Sequence, residues 1–108
     1  MNLSRALGDL EYKKNPQLPP EAQLISGMPE VSKRAIKTDD AFLVMGCDGV
    51  WEILTMEEIC KVTETGLKDG NNKLSAVAEM ILDKGIAPDT SNGVGCDNMS
   101  AIVIKLNC

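Results

Sequence analysis

The sequence predicts an α+β fold in which helices cover one face of a mostly antiparallel sheet. Apolar runs of strand length occur at 41–45 and 99–106, and a modestly alternating segment at 30–36 precedes them. Between the two apolar runs, two segments carry apolar residues at helical spacing. The resulting order is strand, strand, helix, helix, strand, and neighbouring helices in such an order pack together on one side of a sheet.

Length and composition indicate one small domain, 1–108. The chain has 108 residues, of which 44% are hydrophobic, so a core can form. The net charge is −5 and the lysines and arginines are scattered, which argues against nucleic acid and membrane lipid as partners. No apolar run reaches the roughly 18 residues of a membrane span, and the first residues lack a signal-peptide pattern. We expect a soluble intracellular protein, cytoplasmic or nuclear.

The four cysteines are expected to be free thiols. They show no CxxC spacing, and the chain has no histidine to complete a zinc site. In a reducing compartment, such thiols are usually buried and pack as small apolar side chains. The cysteines are Cys47, Cys60, Cys96 and Cys108.

The first third of the chain is predicted to be largely irregular. Residues 1–12 are too short a segment to assign, and 13–29 contain four prolines with little periodicity, which is typical of a surface loop. The segment 30–36 is predicted to be a strand. Residues 38–40 form a turn that leads into the strand at 41–45.

Two helices are predicted after a short helical turn at 50–54 that Trp51 anchors. Thr55 and Glu58 have capping-box spacing, so the first helix should begin there and end at the polar segment 69–72. The second helix carries one apolar stripe and closes at Lys84-Gly85. Both stripes are interpreted as core. The stripe of the second helix consists of Leu74, Val77, Ala78, Ile81 and Leu82.

A turn-rich loop is predicted at 88–95 and a final strand at 99–106. In this strand Ala101, Val103 and Lys105 alternate with Ile102, Ile104 and Leu106. The alternation places the two sets on opposite faces of the sheet.

Asp48 and Asp97 each interrupt an apolar run. A carboxylate at the edge of a core is costly to desolvate unless a cation or a set of donors compensates its charge. Two such carboxylates suit Mg²⁺ or Mn²⁺, because these ions prefer oxygen ligands. The alternative is that Asp48-Gly49 closes one turn and Asp97-Asn98 caps another, since both pairs are common in turns. Spacing alone leaves both interpretations open.

Four segments of the chain together resemble the second half of a metal-dependent protein serine/threonine phosphatase of the PP2C (PPM) family. They are 3–9 (LSRALGD), 28–31 (MPEV), 47–52 (CDGVWE) and 96–100 (CDNMS). The resemblance implies a β-sandwich with helices outside both sheets, of which this chain supplies about half. The family's early Glu, its Asp-Gly-His-x-Gly motif and its early Arg have no counterpart here, so we expect a C-terminal portion. One apolar sheet face would then lack its partner.

The resemblance also implies metal ligands. In the family, two Mg²⁺ or Mn²⁺ ions activate a water that attacks a phosphoserine or phosphothreonine. By motif, Asp48 and Asp97 carry over as ligands, and Glu52 stands where the family usually has an Asp for a further, weaker metal. The alternative for Glu52 is a solvated acid at a helix start.

Three further residues are predicted to support this site. Gly49 lets the backbone bend after Asp48. Asn98 either orients Asp97 through its amide or caps the turn. Arg5 either adds positive potential near the active site or pairs with a local acid such as Asp9.

No catalytic residue is assigned within this chain. Phosphorylated proteins are the expected substrates, yet the chain alone is expected to be inactive and to bind metal weakly. Its expected partners are the missing N-terminal half or a second copy of itself. The alternative function is that of a non-catalytic pseudophosphatase or regulatory binding fragment. Substrate identity and oligomeric state stay open.

Overall fold

The computed structural model describes residues 3–86, 91, 93 and 96–106, in two compact units, Met1–Ala35 and Ile36–Cys108. The class is α+β, as predicted. The second unit contains strand β1 (Phe42–Gly46), helices α1 (Asp48–Trp51), α2 (Met56–Lys68) and α3 (Leu74–Gly85), and strand β2 (Ala101–Lys105). Among the described residues, no helix combines the length and the apolar character that crossing a bilayer requires.

The first unit is largely irregular, as the prolines predicted. Its described regular structure consists of two single 3₁₀ turns, Leu10–Tyr12 and Pro20–Ala22, and an isolated parallel bridge between Arg5 and Ser26. Polar contacts join its loops: the Gln23 side-chain amide donates to the carbonyls of Asn15 and Leu18, both at 2.8 Å.

The strand predicted at 30–36 is wrong. These residues adopt no regular structure, and their large apolar side chains are open to solvent, with Val31 86% and Ile36 67% exposed. Alternation makes a strand only where a neighbouring strand satisfies its backbone groups. No such neighbour pairs with this segment in the described part of the chain.

β1 and β2 form an antiparallel pair whose register runs from Phe42 opposite Lys105 to Gly46 opposite Ala101. One face carries the Val44–Val103 pair, which packs with the helices. The opposite face carries two exposed apolar pairs, Leu43 with Ile104 and Met45 with Ile102. The alternation predicted for the final strand is therefore observed.

Helix α2 begins as the sequence predicted. The Thr55 hydroxyl accepts from the Glu58 backbone N–H at 3.2 Å, and the Glu58 carboxylate accepts from the Thr55 backbone N–H at 2.9 Å. This capping box satisfies two backbone donors that a helix start leaves open. The helix ends at Lys68, immediately before the predicted polar segment.

The core of the second unit lies between the helices and the inner face of the sheet. Val77 and Ile81 of the predicted stripe are fully buried, whereas Leu74 at the helix start is exposed. Helix α2 comes close to α3 at Gly66, where an added Cβ would lie 3.0 Å from the Val77 methyls. The buried cluster consists of Val50, Leu54, Ile59, Val77, Ile81 and Val103.

The prediction of buried thiols is wrong for two cysteines. Cys60 and Cys96 are exposed, and Cys47 is half-buried. The helical spacing of apolar residues had also placed Cys60 on the face of α2 that was interpreted as core, but the buried residues of this helix are Ile59, Thr63 and Gly66. Cys108 and most of the loop predicted at 88–95 lie outside the described residues.

Candidate metal centre

Asp48 lies where β1 gives way to α1. Cys47 is extended, with φ −84° and ψ 176°, and Asp48 is the first residue of the helix. The Trp51 indole N–H donates to the Gly46 carbonyl at 2.9 Å, which ties the short helix to the strand and agrees with the predicted anchoring role. The Asp48 carboxylate is exposed, and its Oδ1 accepts from the Gly49 N–H at 3.0 Å.

Asp97 lies in the segment that leads into β2. It is also exposed, and its Oδ1 accepts from the Asn98 backbone N–H at 2.7 Å. Each candidate ligand thus uses one carboxylate oxygen to bind the next backbone N–H, which restricts how the carboxylate can rotate.

The two segments meet because the strands are antiparallel, so the end of β1 and the start of β2 share one edge of the sheet. The ladder continues past the Gly46–Ala101 pair through a bond from the Cys47 N–H to the Ser100 carbonyl at 3.2 Å. The Cys47 thiol also donates to the Asn98 carbonyl at 3.5 Å and accepts from the Ser100 N–H at 3.3 Å. These three hydrogen bonds join the segment 47–49 to the segment 98–100, and we call this contact the junction. Asp48 lies within the first segment, and Asp97 immediately precedes the second.

Gly49 is buried at this junction. A Cβ added to it would collide with the Asn98 carbonyl oxygen and lie 3.3 Å from the Met99 side chain. Gly49 is part of α1, so its backbone is helical. Glycine is required here because there is no space for a Cβ. The sequence interpretation had assigned it a different role, that of letting the backbone bend after Asp48.

Asn98 contacts Asp97 through its backbone. Its N–H donates to the Asp97 carboxylate, and its carbonyl accepts from the Cys47 thiol. The predicted role of its side-chain amide stays a prediction.

Glu52 follows Asp48 by one helical turn. It is the C-cap of α1, it is exposed, and its N–H donates to the Asp48 carbonyl at 2.9 Å. The i, i+4 spacing places the two residues on the same side of the helix. Because Glu52 ends a helix, its interpretation as a helix-start acid is wrong, whereas its role as a metal ligand stays a prediction.

Arg5 belongs to the first unit. Its Nη2 donates to Glu30 Oε1 at 3.1 Å, and both side chains are exposed. Arg5 therefore pairs with a local acid, as one of the two sequence alternatives held, but the acid is Glu30 instead of Asp9.

The donor chemistry fits a hard divalent cation only in part. Exposed carboxylates at one edge are suitable ligands for Mg²⁺ or Mn²⁺. Among the described residues, however, no group of three or more His, Cys, Asp and Glu side chains comes together to hold an ion. The described residues therefore do not by themselves form a site with three or more such ligands.

Comparison with known proteins gives one consistent family. Residues 1–94 match the family model described as Protein phosphatase 2C. "Probable protein phosphatase 2C 3" of Paramecium tetraurelia is 50% identical over 109 residues, which cover 98% of this chain and 36% of the relative. "Probable protein phosphatase 2C 60" of Arabidopsis thaliana is 43% identical over 97% of this chain and 29% of its own length.

A human relative, "Protein phosphatase 1G", is 42% identical over 96% of this chain and 20% of its own length. The chain therefore spans about a third or less of each of these relatives. The family-model match ends at residue 94, before Asp97, whereas the alignment with the Paramecium protein covers 98% of the chain and so continues past it.

Proposed function

Because the chain belongs to the protein phosphatase 2C family, we propose that it carries two metal-ligating carboxylates, Asp48 and Asp97, of a metal-dependent protein serine/threonine phosphatase. The substrates are proteins that carry phosphoserine or phosphothreonine. The observation that carries the proposal is the junction between 47–49 and 98–100, which brings two exposed carboxylates to one edge of the sheet.

The cofactor is Mg²⁺ or Mn²⁺. When bound, such ions activate a water and neutralise the charge that develops on the phosphoryl group. In this chain Asp48 and Asp97 hold the ions, and each is oriented by the backbone N–H that follows it. Glu52, one turn beyond Asp48, serves a further and weaker ion. The remaining ligands come from parts of the phosphatase that this chain does not contain.

The exposed sheet face fits the same proposal. The pairs Leu43–Ile104 and Met45–Ile102 form an apolar surface of the kind that a second sheet covers in a β-sandwich. The rest of the phosphatase provides that second sheet. Without it, the face favours self-association of the chain.

The test is a chimera built from the Paramecium relative. The 108-residue sequence replaces the segment of the relative that aligns with it, so that a full-length phosphatase depends on this chain's own carboxylates. We expect the chimera to hydrolyse a phosphothreonine peptide only with Mg²⁺ or Mn²⁺. Asp48→Asn and Asp97→Asn should each lower kcat/KM by at least about a hundredfold, as expected when a ligand of a catalytic metal is lost.

Asp83→Asn is the matched control, because Asp83 is an exposed aspartate on α3. It should leave the rate within about twofold, since surface substitutions of this kind have little effect on stability. Full activity in the Asp48→Asn and Asp97→Asn chimeras would refute the ligand assignment. Hydrolysis that persists after removal of all divalent cations would refute the metal dependence.

A non-catalytic binding function is the second candidate. The observation behind it is the absence of a three-residue metal cluster among the described residues. A chimera that folds and binds a phosphopeptide, but does not hydrolyse it at any metal concentration, would support this alternative.

A further inference from the structure

We propose that Cys47 is a positioning residue, whose thiol holds the segment 98–100 where Asp97 stands in a fixed relation to Asp48. The sequence interpretation treated this thiol as a small apolar side chain. The structure places it instead between two backbone polar groups of another segment. The inference rests on the proposed function, because the position of Asp97 matters for metal binding only if both carboxylates are ligands.

The thiol acts where regular pairing has ended. β2 starts at Ala101, and beyond it the ladder continues in one described backbone bond, from the Cys47 N–H to the Ser100 carbonyl. Three described hydrogen bonds join Cys47 to the segment 98–100, and two of them pass through its sulfur. Since one sulfur bond reaches the Asn98 carbonyl, it acts on the residue that adjoins Asp97.

Gly49 permits the close approach that the sulfur bonds require. The Asn98 carbonyl lies where any Cβ at Gly49 would stand, so the segment can reach this distance from α1 only because Gly49 has no side chain. The two sulfur bonds then hold the segment at that distance.

Two variants separate the polar role of the thiol from packing. Cys47→Ala removes both sulfur bonds. Cys47→Ser keeps one donor and one acceptor on a shorter side chain, so it should restore what alanine loses if the bonds matter. Cys60→Ala is the matched control, because it removes an exposed thiol from α2.

The first measurement is amide hydrogen exchange of the 108-residue chain, followed by NMR. The Ser100 N–H donates to the Cys47 sulfur, so in Cys47→Ala it should exchange about three- to tenfold faster, the range expected for one net hydrogen bond. Cys47→Ser should restore the protection and Cys60→Ala should leave it unchanged. The Thr63 amide in the middle of α2 reports whether each variant is folded. An unchanged Ser100 rate in folded Cys47→Ala would overturn the proposal.

The second measurement is Mn²⁺ binding by the full-length chimera, which contains the remaining ligands of the proposed site, followed by isothermal titration calorimetry. Cys47→Ala should weaken the affinity about tenfold, the lower range for loss of a residue that orients a metal ligand. Cys47→Ser should recover most of it. A purely structural role would change the unfolding midpoint and leave the Mn²⁺ affinity as in the unmodified chimera.

The two proposals fail in different ways. If Asp48→Asn and Asp97→Asn both leave Mn²⁺ binding by the chimera unchanged, the ligand assignment is wrong, and the Ser100 exchange rate still decides whether Cys47 holds the segment. If both aspartate variants weaken Mn²⁺ binding and Cys47→Ala does not, the ligand assignment stands and the positioning role of Cys47 is refuted.

Discussion

The two compact units of the chain are stabilised by different means. The second unit has a continuous apolar cluster that includes Val50, Val77 and Ile81, all fully buried. In the first unit, Ile25 is the single buried hydrophobic residue among those described, and Leu7 and Leu24 are largely exposed. There, side-chain bonds to backbone carbonyls connect the loops, such as that from Lys13 Nζ to Ala6 at 2.7 Å.

This difference shows that family likeness and local stability are separate properties. The family match runs from residue 1 to residue 94 and so covers the whole first unit as well as most of the second. Burial of apolar surface is the dominant favourable term in folding, and only the second unit has much of it. We therefore expect the second unit to respond to core mutations and the first to the loss of individual polar contacts.

Ile81→Ala should have the largest effect. The Ile81 side chain is fully buried in the cluster, so its truncation should lower the free energy of unfolding of the second unit by about 2–5 kcal/mol. Urea unfolding followed by helical circular dichroism measures this change. Ile86→Ala makes the same substitution at an exposed position and should cost well under half as much. Equal costs for the two variants would contradict the core described here.

Gln23→Ala should have a smaller and local effect. It removes the amide that donates to Asn15 and Leu18 and the oxygen that accepts from the Asn15 N–H. Each such bond contributes about 1 kcal/mol net at most sites, so trypsin cleavage after Lys13 and Lys14 should accelerate while the urea transition of the second unit stays unchanged. Gln17→Ala is the control at an exposed glutamine. A shift of the urea transition in Gln23→Ala would mean that the two units unfold together.

The smallest effect expected is a pH dependence at the start of α2. The Thr55 backbone N–H and then its hydroxyl lower the pKa of Glu58 below its usual value, and Lys84 contributes in the same direction. A lowered folded-state pKa means that the ionised carboxylate stabilises the fold, and this contribution disappears as the pH falls through that pKa. Below about pH 5, stability should therefore fall more steeply in the unmodified chain than in Glu58→Gln.

Glu64→Gln is the matched control for this measurement, because Glu64 is an exposed acid in the middle of α2. Urea midpoints recorded across the acid range for the three proteins give the comparison. Parallel curves for the unmodified chain and Glu58→Gln would show that the capping box adds no pH dependence.

The parts of the fold that the sequence predicted well depend on local signals. The capping box at Thr55 and Glu58 involves residues three apart, and the stripe of α3 repeats every turn. The strand predicted at 30–36 failed because its modest alternation carries no information about whether a partner strand lies beside it. The helical spacing that placed Cys60 on the apolar stripe of α2 did not show that the buried strip of this helix is narrower, with Ile59, Thr63 and Gly66 as its buried residues.

In the candidate site, too, the residues could be predicted from local sequence, whereas the contacts between distant segments could not. Its two aspartates could be selected from their position at the ends of apolar runs and from the family motifs. The bonds of Cys47 could not, because their partners lie 51 and 53 residues away and depend on the register of β1 against β2. The pairing of Arg5 with Glu30 likewise depends on how the loop between them brings residue 30 back beside residue 5. A single sequence does not specify that path.

Position 49 is one at which we expect glycine to be the only amino acid that fits without a shift of the backbone. A Cβ added to Gly49 would collide with the Asn98 carbonyl oxygen, so every other side chain forces one of the two segments to move. In a saturation library, position 49 should tolerate substitutions least within α1, whereas Gly70, which has no atom within 4 Å of an added Cβ, should accept many. The short distance between the two segments that carry the aspartates therefore depends on a residue without a side chain at position 49.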